Sequence, residues 1–249
     1  MKLCFVFDGK APDLKLATKE KRASLKQEAS VLLKEAQEAG DEAAMKKYSA
    51  RTTVLTSNMI NEAKELIELL GLPIIQAPSE GEAQTAYMAK KGDVYASVSQ
   101  DYDNLVFGCS RLVRNLSIAG RKKKTGTLAY ETIKPDMLSL DKNLQHLGVN
   151  LDQLIIIAIL VGTDYNPKGV KGIGQKTALK LVKEYKGKFD ELFEEVKWSE
   201  FYDISWKEIF DVIKDIPVTD EYTLEWKPVQ NEKLVTFLVE KHEFSEERV

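Results

Sequence analysis

Val94-Tyr95-Ala96-Ser97-Val98-Ser99-Gln100-Asp101-Tyr102-Asp103 is a β-prone apolar run that breaks at two carboxylates. Its length and its valine and tyrosine content suit a buried strand. Asp101 and Asp103 stand two residues apart, so in extended or turning backbone both side chains fall on one side and can reach one cation. The same pattern recurs. Leu3-Cys4-Phe5-Val6-Phe7 runs into Asp8-Gly9, and Leu72-Pro73-Ile74-Ile75 runs into Pro78-Ser79-Glu80-Gly81-Glu82. The apolar stretch Leu154 to Val161 ends at Gly162-Thr163-Asp164. In an open parallel sheet, ligands bind beyond the carboxyl ends of the strands. Acids gathered there repel and raise one another's pKa, and hard divalent cations with oxygen ligands relieve that repulsion. The pattern therefore implies phosphoryl-transfer chemistry dependent on magnesium or manganese, with Asp8, Glu80, Glu82, Asp101, Asp103 and Asp164 as candidate ligands.

Each of these signals has a plainer reading. Ser79-x-x-Glu82 matches a capping box, with Ser79 as the N-cap. Glu80 could complement a helix dipole, and Asp-x-Asp and Asp-Gly are common turn signals. Only their conjunction points to a metal site.

Outward from these acids, strand and helix signals alternate. Strands are expected near 3–7, 73–75, 94–98, 105–107, 112–115 and 127–130, and a helix from Ser79 to about Lys91 closed by Gly92. That alternation indicates an α/β fold, a sheet covered by helices. Residues 3–7 read as a central, buried strand, which needs neighbours on both sides; part of the domain is then expected to lie outside this chain. Residues 15–51 favour helix but lack an apolar stripe, so they are expected to project. Residues 55–70 carry one: Leu55, Met59, Ala63, Leu66, Ile67 and Leu70. After about Pro135 the chain reads as mainly helical, with an extended stretch from Pro217 to Trp226. The division expected is 1–148, an α/β core with its helical segment at about 13–52, and 149–249, a helical region.

Gly172-Ile173-Gly174-Gln175-Lys176 has the form of a helix-hairpin-helix turn. Outward-pointing backbone N–H groups and a positive helix N-terminus there would bind a DNA phosphate without reading sequence, and Lys176 adds a point charge. Lys15, Lys19, Lys21, Arg22 and Lys26, opposed within that stretch by Glu20, could grip a phosphate backbone. The basic stretch Gly120 to Gly126 reads as a hairpin tip.

The bulk composition excludes other classes. The 249 residues are 43% apolar with a formal charge of -3, so charge alone does not announce a nucleic-acid binder. Two cysteines, Cys4 and Cys109, are too few for a disulfide framework or a zinc site and read as core fillers. His146 and His242 read as surface residues, which leaves base chemistry to carboxylates, lysines or metal-bound water. The longest apolar stretch is too short to span a bilayer, and no signal peptide opens the chain. No membrane association and a cytoplasmic location are expected.

Val6-Phe-Asp-Gly-Lys10, Gln76-Ala-Pro-Ser-Glu-Gly-Glu-Ala-Gln84, Ser99-Gln-Asp-Tyr-Asp-Asn-Leu105, Ile159-Leu-Val-Gly-Thr-Asp-Tyr-Asn-Pro167, Lys171-Gly-Ile-Gly174 and Phe244-Ser-Glu-Glu-Arg248, in this order, resemble the archaeal flap endonucleases of the XPG family of structure-specific 5′ nucleases. The resemblance implies a PIN-like α/β core with a parallel-rich sheet flanked by helices, a helical arch, and a helical C-terminal part with a helix-hairpin-helix. It implies removal of 5′ flaps from branched or flapped DNA in replication and repair, with two Mg²⁺ ions (Mn²⁺ as an alternative) about 3.5–4 Å apart. By motif match, the six acids fall on the family's metal ligands. Lys15 and Arg22 fall on its arch cations, which steer and polarise the scissile phosphate. Gly172, Gly174 and Lys176 fall on its duplex-binding hairpin, where backbone carbonyls often hold K⁺.

Two parts of the family pattern are absent from this chain: an N-terminal section with one further metal-binding aspartate, and a C-terminal motif that docks on the sliding clamp. Clamp binding through this chain is therefore not expected. Three readings follow: an active nuclease, a half-enzyme needing a complementing N-terminal polypeptide, and a non-catalytic DNA-binding fragment.

Overall fold

The computed structural model describes residues 1–52, 54–117, 120–123 and 130–249, and only the backbone of Ala17, Lys19, Arg121, Lys122, Lys123 and Glu131. In the basic tip at 120–126, residues 124–126 lie outside the described residues. The chain divides into two compact units. One comprises Met1–Phe7, Lys15–Gln76 and Glu221–Val249; the other comprises Asp8–Leu14 and Ala77–Asp220. These units do not coincide with the cut at 148/149 read from the sequence: residues on both sides of it belong to the second unit, and the tail groups with the first.

In the first unit, β1 (Phe5–Phe7) pairs in parallel with β2 (Ile74–Gln76), Phe5 opposite Ile74. Gln76 ties the pair by donating from Nε2 to the Phe7 carbonyl at 3.2 Å. Phe5 is 37% exposed, so β1 is shorter and less buried than the central strand its composition suggests. Helices α1 (Leu16–Glu38) and α2 (Glu42–Thr52) fold back on each other through Gly40 at φ 70°. Asp41 caps α2 by accepting from the Ala44 N–H at 3.0 Å. Without a periodic stripe the pair buries little beyond Thr18, Ala29 and Ala36, and Leu16, Leu25 and Val31 stay exposed.

Helix α3 (Ser57–Leu69) starts at Thr56, whose hydroxyl accepts from the Met59 N–H. Its apolar stripe is only half used. Ile67 and Leu69 are buried, while Leu55, Met59 and Ala63 are exposed. Gly71 follows at φ 71°, and a Cβ there would lie 2.0 Å from the Lys227 carbonyl oxygen. That close approach lets the tail lie along the strand edge, where Lys227 N–H donates to Gly71 O and Trp226 Nε1 donates to Leu3 O.

In the second unit, α4 (Gly81–Lys91) ends at Gly92 in the left-handed region. A three-stranded sheet has the order β3–β4–β7. β3 (Ser97–Val98) is parallel to β4 (Arg111–Arg114), which is antiparallel to β7 (Asp136–Ser139). Between β3 and β4, α5 (Asp103–Val106) replaces the strand expected at 105–107. A three-residue apolar run has no periodicity to tell strand from helix, and an aspartate in the first turn favours helix. Strand β7 falls where the sequence read as helical; its side chains alternate too weakly to signal it. A small ribbon joins β5 (Arg121–Lys123) to β6 (Tyr130–Thr132).

Helices α6 (Leu140–Leu147), α7 (Leu151–Val161), α8 (Gln175–Tyr185), α9 (Phe189–Glu195) and α10 (Trp206–Lys214) complete the unit. Asn150 and Gln153 form a capping box on α7. Its Ile155, Ile156, Ile159 and Leu160 are almost fully buried against Ala178 and Val182 of α8, Leu192 and Phe193 of α9, and Ile209 and Ile213 of α10. Among the described residues no single helix is long and apolar enough to cross a membrane.

Ile159 sits at 0% exposure in this core. Ile159→Ala is expected to lower the unfolding free energy by about 2–5 kcal/mol, by lost transfer energy plus an unfilled cavity. Urea denaturation checks this.

Candidate metal centre and nucleic-acid interface

Asp8, Glu80, Glu82, Asp101 and Asp103 gather at the N-terminus of α4, and the reason is local. Residues 8–10 lie against 77–79: Gly9 N–H donates to Ser79 O at 2.6 Å and Lys10 N–H to Pro78 O at 3.2 Å. A Cβ at Gly9 would stand 2.2 Å from the Ala77 carbonyl oxygen, so only glycine permits this approach. It delivers the Asp8 carboxylate to the helix start, where Oδ1 accepts from the Gly81 N–H at 2.6 Å. The cap expected from Ser79 therefore does not form. The N-cap position is Glu80, with no side-chain cap bond of its own, and a carboxylate from a distant segment takes the role. Charge-assisted bonds of this kind are short and strong, and the helix dipole favours the anion.

From the other side, β3 and the turn after it bring Asp101 and Asp103. The turn is held by Ser99, whose hydroxyl accepts from the Asp101 N–H at 3.0 Å and donates to Glu82 Oε1 at 3.3 Å. Asp101 Oδ1 accepts from the Asp103 N–H at 3.3 Å. Tyr102, between the two aspartates, receives a hydrogen bond from Arg114 Nη1, and the guanidinium stacks over its ring at 4.1 Å. Arg114 had no signal in the sequence, because its role depends on β4 lying beside β3.

Glu82 reports the outcome. Burial pushes its carboxyl up, the charges of Asp101, Asp103 and Asp8 push it further, and the Ser99 hydroxyl pulls it partly back, leaving it near a pKa of about 7 instead of the ordinary 4.5. Four carboxylates from three segments thus act on one another. Glu80, 6% exposed, lies in the same turn. The donor set is all hard oxygen, which suits Mg²⁺ or Mn²⁺ and not zinc. The cluster is coupled without being closed: among the described residues, no three acidic, histidine or cysteine side chains stand close enough to ligate one ion as they are.

Asp164 lies in the loop after α7, half-buried. That loop is braced by Asn166, which is fully buried; its Oδ1 accepts from the Thr163 hydroxyl at 2.6 Å and its Nδ2 donates to Ile159 O at 2.6 Å. Gly162 (φ 122°) and Gly169 (φ 54°) let the loop fold on itself; a Cβ on Gly169 would meet Val161 backbone at 2.3 Å. Helix α5, which begins at Asp103, packs on α7, which leads to Asp164.

The same loop continues into the glycine hairpin. Val170 N–H donates to Leu160 O and Ile173 N–H to Val170 O, and Ile173 packs into the apolar core. Gly172 and Gly174 face open space. Gly174 is the N-cap of α8, with no side-chain cap bond, so the first turn of α8 is exposed to a ligand. Lys176 is exposed there, joined by Lys168, Lys171 and Lys180, which the motif did not single out. The turn thus sets an uncapped helix N-terminus beside four exposed lysines.

Lys15 and Arg22 belong to the first unit, Lys15 closing a short 3₁₀ turn (Asp13–Lys15) and Arg22 exposed on α1. The Lys19 side chain lies outside what the structure describes. Cys109 is fully buried, as expected of a core filler; Cys4 is half-buried.

Comparison with known proteins places these features in context. The XPG I-region family matches residues 71–164, the span that holds four of the predicted acids between Glu80 and Asp103 and ends on Asp164. The chain is 49% identical over its full length to flap endonuclease 1 of Thermococcus onnurineus and 48% identical to that of Pyrococcus abyssi, covering 71% of each. Among solved structures it is similar to flap endonuclease-1 from Methanococcus jannaschii, at 41% identity with a TM-score of 0.70 over 98% of this chain and 71% of that one. The α/β fold expected from the sequence agrees with that likeness. The catalytic core of Rad2 in complex with DNA substrate shares the fold at 23% identity and a TM-score of 0.68.

Because folding raises the Glu82 pKa, its contribution to stability is complete below about pH 4.5 and is lost as pH rises through about 7, where the carboxylate must ionise among like charges. A divalent cation offsets that loss. Magnesium is expected to raise the melting temperature more at about pH 8 than at about pH 5.5, and Glu82→Gln should make the two increments equal. Scanning calorimetry with and without Mg²⁺ decides it.

Proposed function

This chain belongs to the flap endonuclease family of structure-specific 5′ nucleases, and from that premise we propose that Asp8, Glu80, Glu82, Asp101, Asp103 and Asp164 hold the divalent ions of its phosphodiester hydrolysis. The protein is a metal-dependent structure-specific 5′ flap endonuclease, as its relatives are. The finer assignments, Mg²⁺ as the physiological ion, Mn²⁺ as a substitute and K⁺ on the hairpin carbonyls, are part of the proposal. The observation that carries it is the gathering of Asp8, Glu82, Asp101 and Asp103 at the start of α4, where like charges are held together against their repulsion.

When bound, two Mg²⁺ ions supply an activated water and neutralise charge on the phosphate. The residues of the chain do the rest. The carboxylates would hold the ions, and are themselves fixed by bonds such as Gly81 N–H to Asp8 and the Ser99 hydroxyl to Glu82. Lys15 and Arg22 donate charge-assisted hydrogen bonds to the scissile phosphate as its charge develops, and Lys19 adds to the field that draws the flap in. Gly172, Gly174 and Lys176 hold a duplex phosphate, which fixes the register of branched or flapped DNA without reading sequence. No histidine takes part.

A second reading is favoured by one observation, that the described acids do not close on an ion by themselves. In it the chain binds DNA and cleaves only with a complementing polypeptide that supplies a further ligand.

The test is cleavage of an end-labelled 5′-flap duplex by this chain with Mg²⁺. Product that vanishes in Asp101→Ala supports the first reading. Flap binding without product supports the second, and product that survives Asp101→Ala contradicts the acid assignment. Removing one donor, Arg22→Ala, is expected to slow cleavage roughly a hundredfold. Lys176→Ala should weaken duplex binding for all sequences alike and reduce the salt slope by about 1, read by fluorescence anisotropy.

A further inference from the structure

A buried amide lies directly behind the acidic cluster. Asn104, the second residue of α5, is 0% exposed. Its Nδ2 donates to the backbone carbonyl of Glu82 at 2.8 Å and to the Thr85 hydroxyl at 3.1 Å. The Ser97 hydroxyl stands 3.1 Å from Asn104 Oδ1 and 3.0 Å from Thr85 Oγ1. Thr85 in turn donates to the Glu82 carbonyl at 3.0 Å. The acceptor at Glu82 is a carbonyl, so the amide nitrogen must face it, and both amide protons and the amide oxygen are satisfied.

This hub joins three elements. Ser97 is on β3, Thr85 and Glu82 are on α4, and Asn104 is the residue after Asp103. Glu82 and the Asp101–Asp103 pair are the two arms of the acidic cluster, and they repel. An apolar residue of similar volume would fill the space without requiring three side-chain hydrogen bonds to be made at once. A fully satisfied buried polar network instead fixes one relative placement of the groups that make it. We infer that Asn104 is a positioning residue for the divalent-ion site: it sets the separation of the Glu82 arm from the Asp101–Asp103 arm against their repulsion. This rests on the reading of those acids as ligands. Asn104 itself touches neither ion nor DNA.

The test is direct Mn²⁺ binding by isothermal titration calorimetry on the full chain, without DNA and without turnover. Asn104→Leu is expected to weaken Mn²⁺ affinity about 10–100-fold, the usual effect of removing a group that orients ligands, while duplex binding at the hairpin stays unchanged. Thr85→Val, a near-isosteric change, should weaken Mn²⁺ by a smaller factor in the same direction. Melting temperatures of the metal-free variants establish that each is folded. A folded Asn104→Leu with wild-type Mn²⁺ affinity overturns the inference. If Asn104→Leu does not fold, Thr85→Val decides in the same way. Asp101→Ala separates the two levels. If it binds Mn²⁺ as the wild type does, the ligand reading fails; if it loses Mn²⁺ while Asn104→Leu keeps it, only the positioning role fails.

Discussion

Repulsion between carboxylates is the constraint on which the second unit is organised. Holding Glu82 beside Asp101, Asp103 and Asp8 makes its ionisation unfavourable up to about neutral pH, so the fold must hold these groups together against their own charges. The means are visible and local. Gly9 permits an approach that any side chain would block, the α4 N-terminus receives Asp8 through the Gly81 N–H, Ser99 bridges the Asp101 turn to Glu82, and Asn104 ties the two arms from behind. Every one is a hydrogen bond or a steric allowance at a turn. Strained, charged sites persist only where their surroundings over-determine them, and this one is held from four directions.

The helical half of the unit solves a different problem. A turn that presents bare backbone N–H groups to a phosphate cannot stabilise itself, since those groups lack partners by design. The stability comes from behind, from the apolar packing of α7 to α10, and Ile173 roots the turn in that core while its flanking glycines face solvent. The Asn166-braced loop that carries Asp164 belongs to the same support. The acidic cluster and the glycine turn are thus served by separate stabilising devices.

The α/β fold class was legible in the sequence, and so was a set of acids that the fold brings together. Asp8, Glu82, Asp101 and Asp103 were legible because each follows an apolar run, and all four interact. The glycine hairpin was legible because its turn needs residues without side chains. What the sequence hid was set by tertiary contact. The capping box at Ser79 is locally plausible and loses to a carboxylate arriving from residue 8. Leu105 to Phe107 is too short an apolar run to declare itself helical. The α3 stripe promised burial along its whole length, yet Leu55, Met59 and Ala63 remain exposed. Asn104 and Arg114 gave no signal, because a polar residue inside a helix or strand acquires meaning only from what packs against it. The compact units do not coincide with a boundary near residue 149, because the tail returns to residues 3 and 71 of the first unit.

The central claim is that these acids are held together in order to bind divalent ions. Anomalous diffraction from crystals of the chain grown with MnCl₂ addresses it directly. The account predicts manganese peaks bounded by Glu82, Asp101 and Asp103. Manganese bound elsewhere, with those three carboxylates turned to solvent, would contradict it.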